Sequence, residues 1–552
     1  MTPATPATWT GPDGAEPYDL IGVGLGPFNL SLAALADGVP GLRAVFFEQN
    51  PVFRWHPGLL LEGTSLQVPF LADLVTLIDP TSRWSFLSYL REHDRLFRFY
   101  FYERFHIPRR EYDDYCRWVA GGLPSTRFGM RVEAVRWDGG SGLFHVTVRP
   151  AAPAGPAGPG GPGTALSDGP AAAAAVLTAR HIVLGVGTEP AVPAAFTGLL
   201  GDRVFHSAHY LDHRDRLRGA RHVTVVGSGQ SGAEVFADLL RAQPETGHAL
   251  TWLTRTPAFA PMEYSKLGLE QFTPDFVRYF HGLDQARKDE LVPTQWQLYK
   301  AISADTIAEI YDLLYERTVG GAEVDARLLP NVAVEDVTVE DAAVKNGALK
   351  DEAVEGATAQ GGGPPGGGGR ILLRCRHRDQ GRRFTVETDA VVLATGYAPR
   401  QPRFLDPMAD LLDLDAAGRF RVDARYRVAT APEVTGRVYV QNAELHTHGV
   451  GAPDLGLGAW RAAVILDDLT GGAAHPLPRP SAFTTFGVPE AGGFIRPLPD
   501  GDGSGGQRAG GPGEGGPDGT ASDSTASDSG ASSQVMQGAR PEEPAAVGGA
   551  GR

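Results

Sequence analysis

The clearest pattern along the chain is a short apolar run that ends in glycines and leads into a second apolar stretch with helical spacing. Residues 19–23 (DLIGV) predict a buried strand, residues 22–27 a tight turn, residues 29–36 a helix with an apolar face, and residues 42–48 a second strand. This order forms a βαβ unit. It predicts an α/β fold built on a parallel sheet.

The same pattern returns later in the chain. Residues 222–226 (HVTVV) lead into a second glycine-rich turn, a helix predicted at 233–241 and a strand predicted at 249–253. Two further apolar runs, 180–187 and 390–397, end in glycine on either side of this unit. We therefore predict two Rossmann-like dinucleotide-binding domains, with the second inserted in the first.

Stretches rich in glycine, proline and alanine interrupt these units and cannot pack a core. They set the predicted boundaries. The first, FAD-binding domain comprises residues 17–215, with a flexible insertion at 150–175, and residues 370–475; the second, NADPH-binding domain comprises residues 216–342, with a small helical substrate region at 262–320. A disordered leader (1–16), a second flexible insertion (343–369) and a disordered tail (485–552) complete the chain.

The first glycine-rich turn has the residues that a dinucleotide site needs. Gly22, Gly24 and Gly26 permit a tight turn and close approach of the backbone to a pyrophosphate, although Pro27 replaces the last glycine of the usual pattern. Glu48 ends the following strand, where an acidic side chain binds ribose hydroxyls. The alternative is an ordinary glycine turn in an α/β protein.

The second turn is followed by a basic residue instead. Arg255 comes directly after the strand, where a cation suits the 2′-phosphate of NADP, and a solvated surface arginine is the alternative. An acid after the first turn and a base after the second assign FAD to the first site and NADPH to the second. The predicted NADPH ligands are Gly227, Ser228, Gly229, Gln230, Ser231 and Arg255.

Composition narrows the class of protein. The net charge of -15 argues against nucleic acid or an anionic membrane as the main partner, because both would be repelled. Cys116 and Cys375 are too few for a CxxC redox pair or a cysteine-based zinc site. His446 and His448 lack a third ligand nearby in the sequence, so we expect no metal. The sequence has neither a signal peptide nor a membrane-spanning run, so we expect a cytoplasmic protein.

Ordered motifs in both units and between them resemble one known family. They are Trp55–Gly58, Leu66–Thr76 (LQVPFLADLVT), Asp79–Ser82, Ser85–Leu90, Arg109–Trp118 (RREYDDYCRW), Gly227–Glu234, Phe272–Pro274, Ile302–Tyr315, Ala394–Tyr397 and His446–Arg461. Together they resemble the microbial N-hydroxylating flavin monooxygenases, which include lysine N6-hydroxylases and ornithine N5-hydroxylases of siderophore biosynthesis. The resemblance spans about residues 18–470.

The resemblance implies a reaction. NADPH reduces FAD, the co-substrate O2 adds at flavin C4a to give a hydroperoxide, and a neutral primary amine takes the distal oxygen to become a hydroxylamine. Because the cofactor carries most of this chemistry, we expect no catalytic side chain beyond the flavin itself. The family also implies a homo-tetramer. The flavin contacts that it implies are Trp55, His56, Gln67, Val132, Pro453, Asp454 and Leu455.

The chain departs from the amino-acid hydroxylases of this family at the substrate. Those enzymes carry a lysine for the substrate α-carboxylate where this chain has Ala72. The ornithine enzymes carry asparagines at the positions that match Leu269 and Ser303, and a serine at the position of Gly456. A buried carboxylate without its cation costs several kcal/mol, so the missing lysine favours a substrate without a carboxylate.

These departures predict a diamine, cadaverine or putrescine, in hydroxamate siderophore biosynthesis. Glu270 and Asp73 are the candidates for holding the distal ammonium, although structural roles for both stay open. L-Lysine is the alternative substrate, if an arginine or lysine elsewhere replaces the missing contact. More distant alternatives are another two-dinucleotide flavin monooxygenase and a catalytically inactive FAD-binding protein.

Overall fold

The computed structural model describes residues 16–151, 174–340 and 369–488. Most of the predicted leader, the cores of both predicted insertions and most of the predicted tail lie outside these ranges. The strands are β1 Tyr18–Val23, β2 Ala44–Glu48, β3 Thr126–Phe128, β4 Met130–Asp138, β5 Leu143–Pro150, β6 Ala175–Leu184, β7 Thr188–Pro190, β8 Val204–His206, β9 His222–Val226, β10 Ala249–Leu253, β11 Ala326–Leu329, β12 Val332–Glu340, β13 Arg370–His377, β14 Arg383–Thr388, β15 Ala390–Leu393, β16 Tyr397–Pro399, β17 Arg427–Val428 and β18 Arg437–Val440.

Helices connect the strands and cover the sheets. They are α1 Pro27–Ala36, α2 Phe86–Glu92, α3 Leu96–Tyr102, α4 Arg109–Gly122, α5 Tyr210–His213, α6 Gln230–Thr246, α7 Pro274–His281, α8 Gln285–Thr294, α9 Trp296–Tyr299, α10 Ala304–Arg317, α11 Leu445–His448 and α12 Gly458–Thr470. Among the described residues, none of these helices combines the length and the apolar character needed to cross a membrane.

The first sheet carries the first glycine-rich turn. Its strand order is β17-β18-β6-β1-β2-β3, and the hairpin of β4 and β5 joins through β6. β1 is parallel to both β2 and β6, so the turn after β1 lies at the carboxyl edge of the sheet, where ligands of such sheets bind. The helix α1 is buried between this sheet and α12, with Leu30, Ala462 and Ile465 in one core.

The second sheet carries the second glycine-rich turn. Its order is β11-β10-β9-β15-β8, and all of its pairings are parallel. Two of its strands lie outside the predicted range 216–342: β8 comes before it, and β15 comes after it. The assignment of residues 390–393 to the first domain is therefore wrong. An apolar run such as AVVL indicates a buried strand but not the sheet to which the strand belongs. That depends on its hydrogen-bond partners, which here are β8 and β9.

A third, antiparallel sheet joins β12, β13 and β14. It crosses the other predicted boundary, since β12 belongs to the predicted second domain and β13 to the predicted remainder of the first. The predicted start of the tail at 485 is also too early. The Phe486 ring stacks on Tyr279, with centroids 6.1 Å apart, and packs edge-on against Phe276 at 5.1 Å.

Candidate active site

The first glycine-rich turn leaves open space at the start of α1. Gly24 has a φ of 82°, which favours glycine. A Cβ at Gly22 would lie 2.1 Å from the ring of Phe46, so the packing excludes a side chain there. Gly26 differs, because a Cβ at this position would meet no described atom within 4 Å. Pro27 then begins α1 without any side-chain cap. The first N–H groups of α1 therefore suit a pyrophosphate.

The predicted acid reaches this turn. Glu48 Oε2 accepts a hydrogen bond from the backbone N–H of Leu25, at 3.0 Å. Glu48 Oε1 accepts from the backbone and side-chain nitrogens of Asn50, at 2.9 and 2.8 Å. The carboxylate is thus fixed beside the turn at the end of β2, where a ribose of a bound dinucleotide lies in this fold.

Trp55 and His56 form an aromatic wall near α4. The backbone N–H of Trp55 donates to Asp113 Oδ1 at 2.7 Å, and its ring packs edge-on against Tyr112 and His56, each at 5.0 Å. His56 has a φ of 48°, which is uncommon for a residue with a side chain. Desolvation and the nearby Arg109 guanidinium lower the pKa of His56, although the residue as a whole keeps access to solvent.

The other predicted flavin residues have different environments. Val132 is a buried core residue of β4 that clusters with Val23 of β1 and Phe47 of β2. Pro453 is exposed, whereas Leu455 packs against the core that contains α1. Direct flavin contact by these three side chains stays a prediction.

One side chain connects the predicted flavin, nicotinamide and substrate residues. Gln230 begins α6, and its Oε1 accepts from Gln67 Nε2 at 3.2 Å and from the backbone N–H of Ser303 at 2.7 Å. Gln230 Nε2 donates to Glu234 Oε1 at 2.8 Å and to Thr306 Oγ1 at 2.9 Å. The sequence assigned Gln67, Gln230 and Ser303 to three different ligands. The structure places the Gln67 side chain and the Ser303 backbone within hydrogen-bonding distance of Gln230.

A buried ion pair lies next to Gln230. Arg109 Nη1 lies 2.7 Å from Glu234 Oε2, and both side chains are nearly inaccessible. Arg109 begins α4, which packs on the first sheet, whereas Glu234 is on α6 of the second. Burial raises the pKa of Glu234, and Arg109 and Gln230 oppose that shift. The ion pair of Arg109 and Glu234 was not predicted from the sequence. The available signal was the i, i+4 spacing that places Gln230 and Glu234 on one helix face.

The second glycine-rich turn packs closely against its own sheet. Gly227 has a φ of 127°, and a Cβ there would lie 2.0 Å from the carbonyl oxygen of Ala394. Gly229 precedes α6 without a side-chain cap, and Ser231 is in its first turn, so the N–H groups of α6 suit a second pyrophosphate. Ser228 Oγ accepts from Thr256 Oγ1 at 3.0 Å, which fixes the segment after β10 against the turn. Arg255 lies in that segment and is exposed.

Ala72 and Gly456 face each other. A Cβ at Gly456 would lie 3.8 Å from the Cβ of Ala72, and Ala72 is buried. Asp454 adjoins Gly456, because its Oδ1 accepts from the backbone N–H of Gly456 at 2.8 Å and would lie 2.8 Å from the same added Cβ. Burial raises the pKa of Asp454 to about 6. Two of the four positions where the resemblance implies a departure from the amino-acid hydroxylases, Ala72 and Gly456, thus meet near a carboxyl group that the resemblance assigns to flavin alone.

The predicted ammonium partners are occupied elsewhere. Asp73 accepts four hydrogen bonds, from the backbone N–H groups of Val75, Thr76 and Phe86 and from the Thr76 hydroxyl, at 2.6 to 2.9 Å. Its role is to fix the turn before α2. These contacts argue against Asp73 as the ammonium partner.

Glu270 is bound in a similar way at the surface. Its carboxylate accepts from the backbone N–H groups of Phe483 and Thr484, at 2.9 and 2.8 Å, and from the Thr484 hydroxyl. The neighbouring Leu269 is 37% exposed. Glu270 therefore secures the segment after α12, and this geometry argues against its predicted role at the substrate.

The paired histidines have partners within the protein. His446 Nε2 lies 2.8 Å from the carbonyl oxygen of Phe420, and the ring of His448 stacks on Tyr426 at 4.2 Å. Among the described residues, no group of three or more histidine, cysteine, aspartate or glutamate side chains is arranged to hold a metal ion.

A family model described as L-lysine 6-monooxygenase/L-ornithine 5-monooxygenase matches residues 16–159 and 164–399. The chain belongs to this family. The predicted family, the α/β fold with two Rossmann-like domains and the enzyme class, a flavin-dependent amine N-monooxygenase, are confirmed.

Relatives of this monooxygenase act in siderophore pathways. The rhizobactin siderophore biosynthesis protein RhbE of Rhizobium meliloti is 44% identical over 86% of this chain and 96% of its own length. The putrescine N-hydroxylase of Shewanella oneidensis is 38% identical over 85% of this chain and 84% of its own. A solved structure of DfoA bound to FAD, the cadaverine monooxygenase of the desferrioxamine pathway of Erwinia amylovora, superposes with a TM-score of 0.75 at 36% identity, covering 86% of this chain and all of that one.

Proposed function

We propose that this monooxygenase uses FAD, NADPH and O2 to hydroxylate one nitrogen of a diamine, cadaverine or putrescine, in hydroxamate siderophore biosynthesis. The observation that carries the proposal is the contact between Ala72 and Gly456 beside the Asp454 carboxyl group. Relatives that act on putrescine and cadaverine support the same substrate class.

Charge at this contact favours a diamine over an amino acid. Ala72 and Gly456 offer no cation to a substrate carboxylate, and the Asp454 carboxylate would repel one. An ammonium group suits the same place, because it would pair with Asp454. Arg461 is the charged neighbour that opposes this role, but its guanidinium is itself buried and paired with Glu444 at 2.7 Å. Asp454 thus replaces Glu270 and Asp73 as the proposed partner of the distal ammonium.

The residues of the chain position and desolvate the reactants. When bound, FAD activates oxygen and NADPH supplies the hydride. The open N-terminus of α1 and the Glu48 carboxylate hold the first dinucleotide, and the N-terminus of α6 holds the second. The reacting amine must be neutral, although a free alkylammonium has a pKa of about 10.4. Holding the distal ammonium at Asp454 would keep this carboxylate away from the reacting nitrogen, which a nearby negative charge would keep protonated.

We also propose that the chain forms a homo-tetramer, as the family resemblance implied. The helix α3 has no buried residue, and the side chains of Phe97, Tyr100 and Phe101 are 82%, 72% and 74% exposed. An apolar patch of this kind is typical of an interaction surface. Sedimentation of the full chain is expected to give a tetramer that Phe97→Ser weakens, and a wild-type monomer would contradict the proposal. The cytoplasmic location stays a prediction.

A substrate panel tests the proposed function. Purified protein saturated with FAD is supplied with NADPH, oxygen and one of four amines: cadaverine, putrescine, L-lysine or L-ornithine. We expect hydroxylamine from the diamines, at a kcat/KM at least about tenfold above that for either amino acid, since one unbalanced buried charge costs more than 1.4 kcal/mol. A preference for L-lysine would contradict the diamine assignment, and the absence of any hydroxylamine would contradict the activity.

A further inference from the structure

A second arginine lies beside Arg255, on a sheet that does not belong to the dinucleotide fold. Arg378 follows β13, at the start of the turn into β14. Its Nη1 donates a hydrogen bond to the backbone carbonyl oxygen of Arg255, at 3.0 Å. Arg378 lies in the range 370–475 that was predicted to complete the first domain, and no role was predicted for it.

Backbone hydrogen bonds fix Arg378 to the second glycine-rich turn. The N–H of Arg378 donates to the carbonyl oxygen of Asn331, and the N–H of Asn331 donates to that of Thr256, both at 2.8 Å. Asn331 adopts a left-handed φ of 61°, which turns the chain between β11 and β12 toward this contact. Thr256 in turn donates to Ser228 Oγ of the glycine-rich turn. These contacts therefore fix the position of the Arg378 backbone.

The charges at this point are not compensated within the described part of the chain. Arg255 and Arg378 are both exposed, and neither guanidinium forms an ion pair with a described acidic side chain. Only one N–H donor of Arg378 is used in its contact with the Arg255 carbonyl. A guanidinium that contacts the backbone of a second exposed arginine, with donors of both left over, suits a dianionic phosphate.

We propose that Arg378 binds the 2′-phosphate of NADPH together with Arg255 and thereby determines the preference for NADPH over NADH. This inference rests on the proposed function, because it places NADPH at the second glycine-rich turn. The end of the second strand of such a unit lies beside the adenosine ribose, which is where NADPH carries its additional phosphate. Arg378 is thus a specificity residue contributed by the antiparallel sheet.

The test measures binding rather than turnover. The full chain and its Arg378→Gln variant, both loaded with FAD, are titrated calorimetrically with NADP+ and with NAD+. We expect the variant to bind NADP+ about tenfold more weakly and NAD+ as well as the wild type does, because only the phosphate contact is lost. Arg382→Gln is the matched control: Arg382 is an exposed arginine of the same hairpin turn, and we expect no change in either affinity.

The outcomes separate this inference from the proposed function. Wild-type protein that fails to bind NADP+ would contradict the proposed function itself. An Arg378→Gln variant that binds NADP+ like the wild type, or loses affinity for NAD+ equally, would contradict only the role of Arg378. Arg378→Lys provides a second variant that keeps the charge but not the two-pronged donor geometry, and we expect an intermediate affinity for NADP+.

Discussion

Gln67 Nε2 lies 3.2 Å from Gln230 Oε1. The first residue follows the aromatic wall next to the first sheet, and the second begins the helix that follows the second glycine-rich turn. The same oxygen of Gln230 also accepts a hydrogen bond from the backbone N–H of Ser303, the residue that precedes α10. One glutamine side chain therefore fixes three segments of the site to each other.

Gly26→Ala is expected to weaken FAD binding without weakening the fold. The φ of Gly26 is -76°, which alanine adopts readily, and its Cβ would enter the open space before α1. A methyl group there obstructs the approach of a pyrophosphate to the helix. Flavin fluorescence titration should show a loss of at least about tenfold in affinity, equivalent to 1.4 kcal/mol, at an unchanged melting temperature of the apoprotein.

Gly38→Ala is the matched control for this substitution, since its Cβ also meets no described atom within 4 Å but it lies beyond the other end of α1. It should leave FAD affinity unchanged. Equal FAD affinity in both variants would argue against a flavin pyrophosphate at the start of α1.

Ala72→Lys is expected to reduce diamine turnover strongly. The side chain at this position is buried against Gly456, so a lysine would place an ammonium group beside Asp454 and compete with the substrate. Steady-state kinetics with cadaverine should show a kcat/KM lower by at least about 100-fold, since a misplaced buried charge costs several kcal/mol. Ala72→Met controls for size, because it adds a long side chain without a charge. Unchanged diamine kinetics in Ala72→Lys would mean that position 72 does not face the substrate.

Asp454→Asn is expected to separate diamines from monoamines. Asparagine keeps the oxygen that accepts from Gly456 N–H but removes the charge. The KM for cadaverine should rise about 10- to 100-fold, the effect of losing a hydrogen-bonded charge pair, while the KM for pentylamine stays the same. If both KM values rise together, Asp454 orders the loop and does not bind the distal ammonium.

The raised pKa of Asp454 predicts two opposite effects of pH. Protonation below about pH 6 removes the charge that binds the ammonium, so kcat/KM for cadaverine should fall there, whereas kcat/KM for pentylamine should not. The stability of the fold should instead increase as the pH falls. The folded-state pKa of about 6 exceeds the ordinary 3.8, so the carboxyl stabilises the fold fully only below pH 3.8, and that contribution is lost as the pH rises through 6.

Apo Asp454→Asn should therefore melt at a higher temperature than the wild type at pH 8, with a gain of about 1 to 3 kcal/mol, and at nearly the same temperature at pH 4. Calorimetry at the two pH values measures both. A variant that is less stable than the wild type at pH 8 would show that the charged carboxylate is favourable where it lies.

Glu234→Gln is expected to destabilise the junction between the two sheets. It leaves the Arg109 guanidinium buried without its partner, which costs about 3 to 5 kcal/mol. The double variant Arg109→Met, Glu234→Leu removes both charges and should recover much of this loss. Urea unfolding of the apoproteins measures the difference. A double variant that is less stable than the wild type by the sum of the losses of its two single variants, Arg109→Met and Glu234→Leu, would rule out a shared ion-pair contribution.

The glycine-rich turns show what could be predicted locally. A strand, a glycine turn, a helix and a second strand are consecutive in the chain, so their hydrophobic spacing and the residues at their ends sufficed to find both dinucleotide folds. Glu48 was predicted at the end of β2, and the structure places its carboxylate against the first turn. In contrast, β15 was assigned to the wrong sheet, because its apolar sequence indicates that the strand is buried but not which strands pair with it.

The sequence by itself determined the family and the two dinucleotide folds, because both depend on residue types at short, fixed spacings. The expectation that Ala72 replaces a lysine came from the resemblance. Only the tertiary structure decided that Gly456 and Asp454 lie beside Ala72, that Asp73 and Glu270 are bound elsewhere, and that Arg378 joins Arg255. These relations connect residues that are far apart in the chain. They arise from how sheets and loops pack, a property to which every contacting segment contributes and which no single segment encodes.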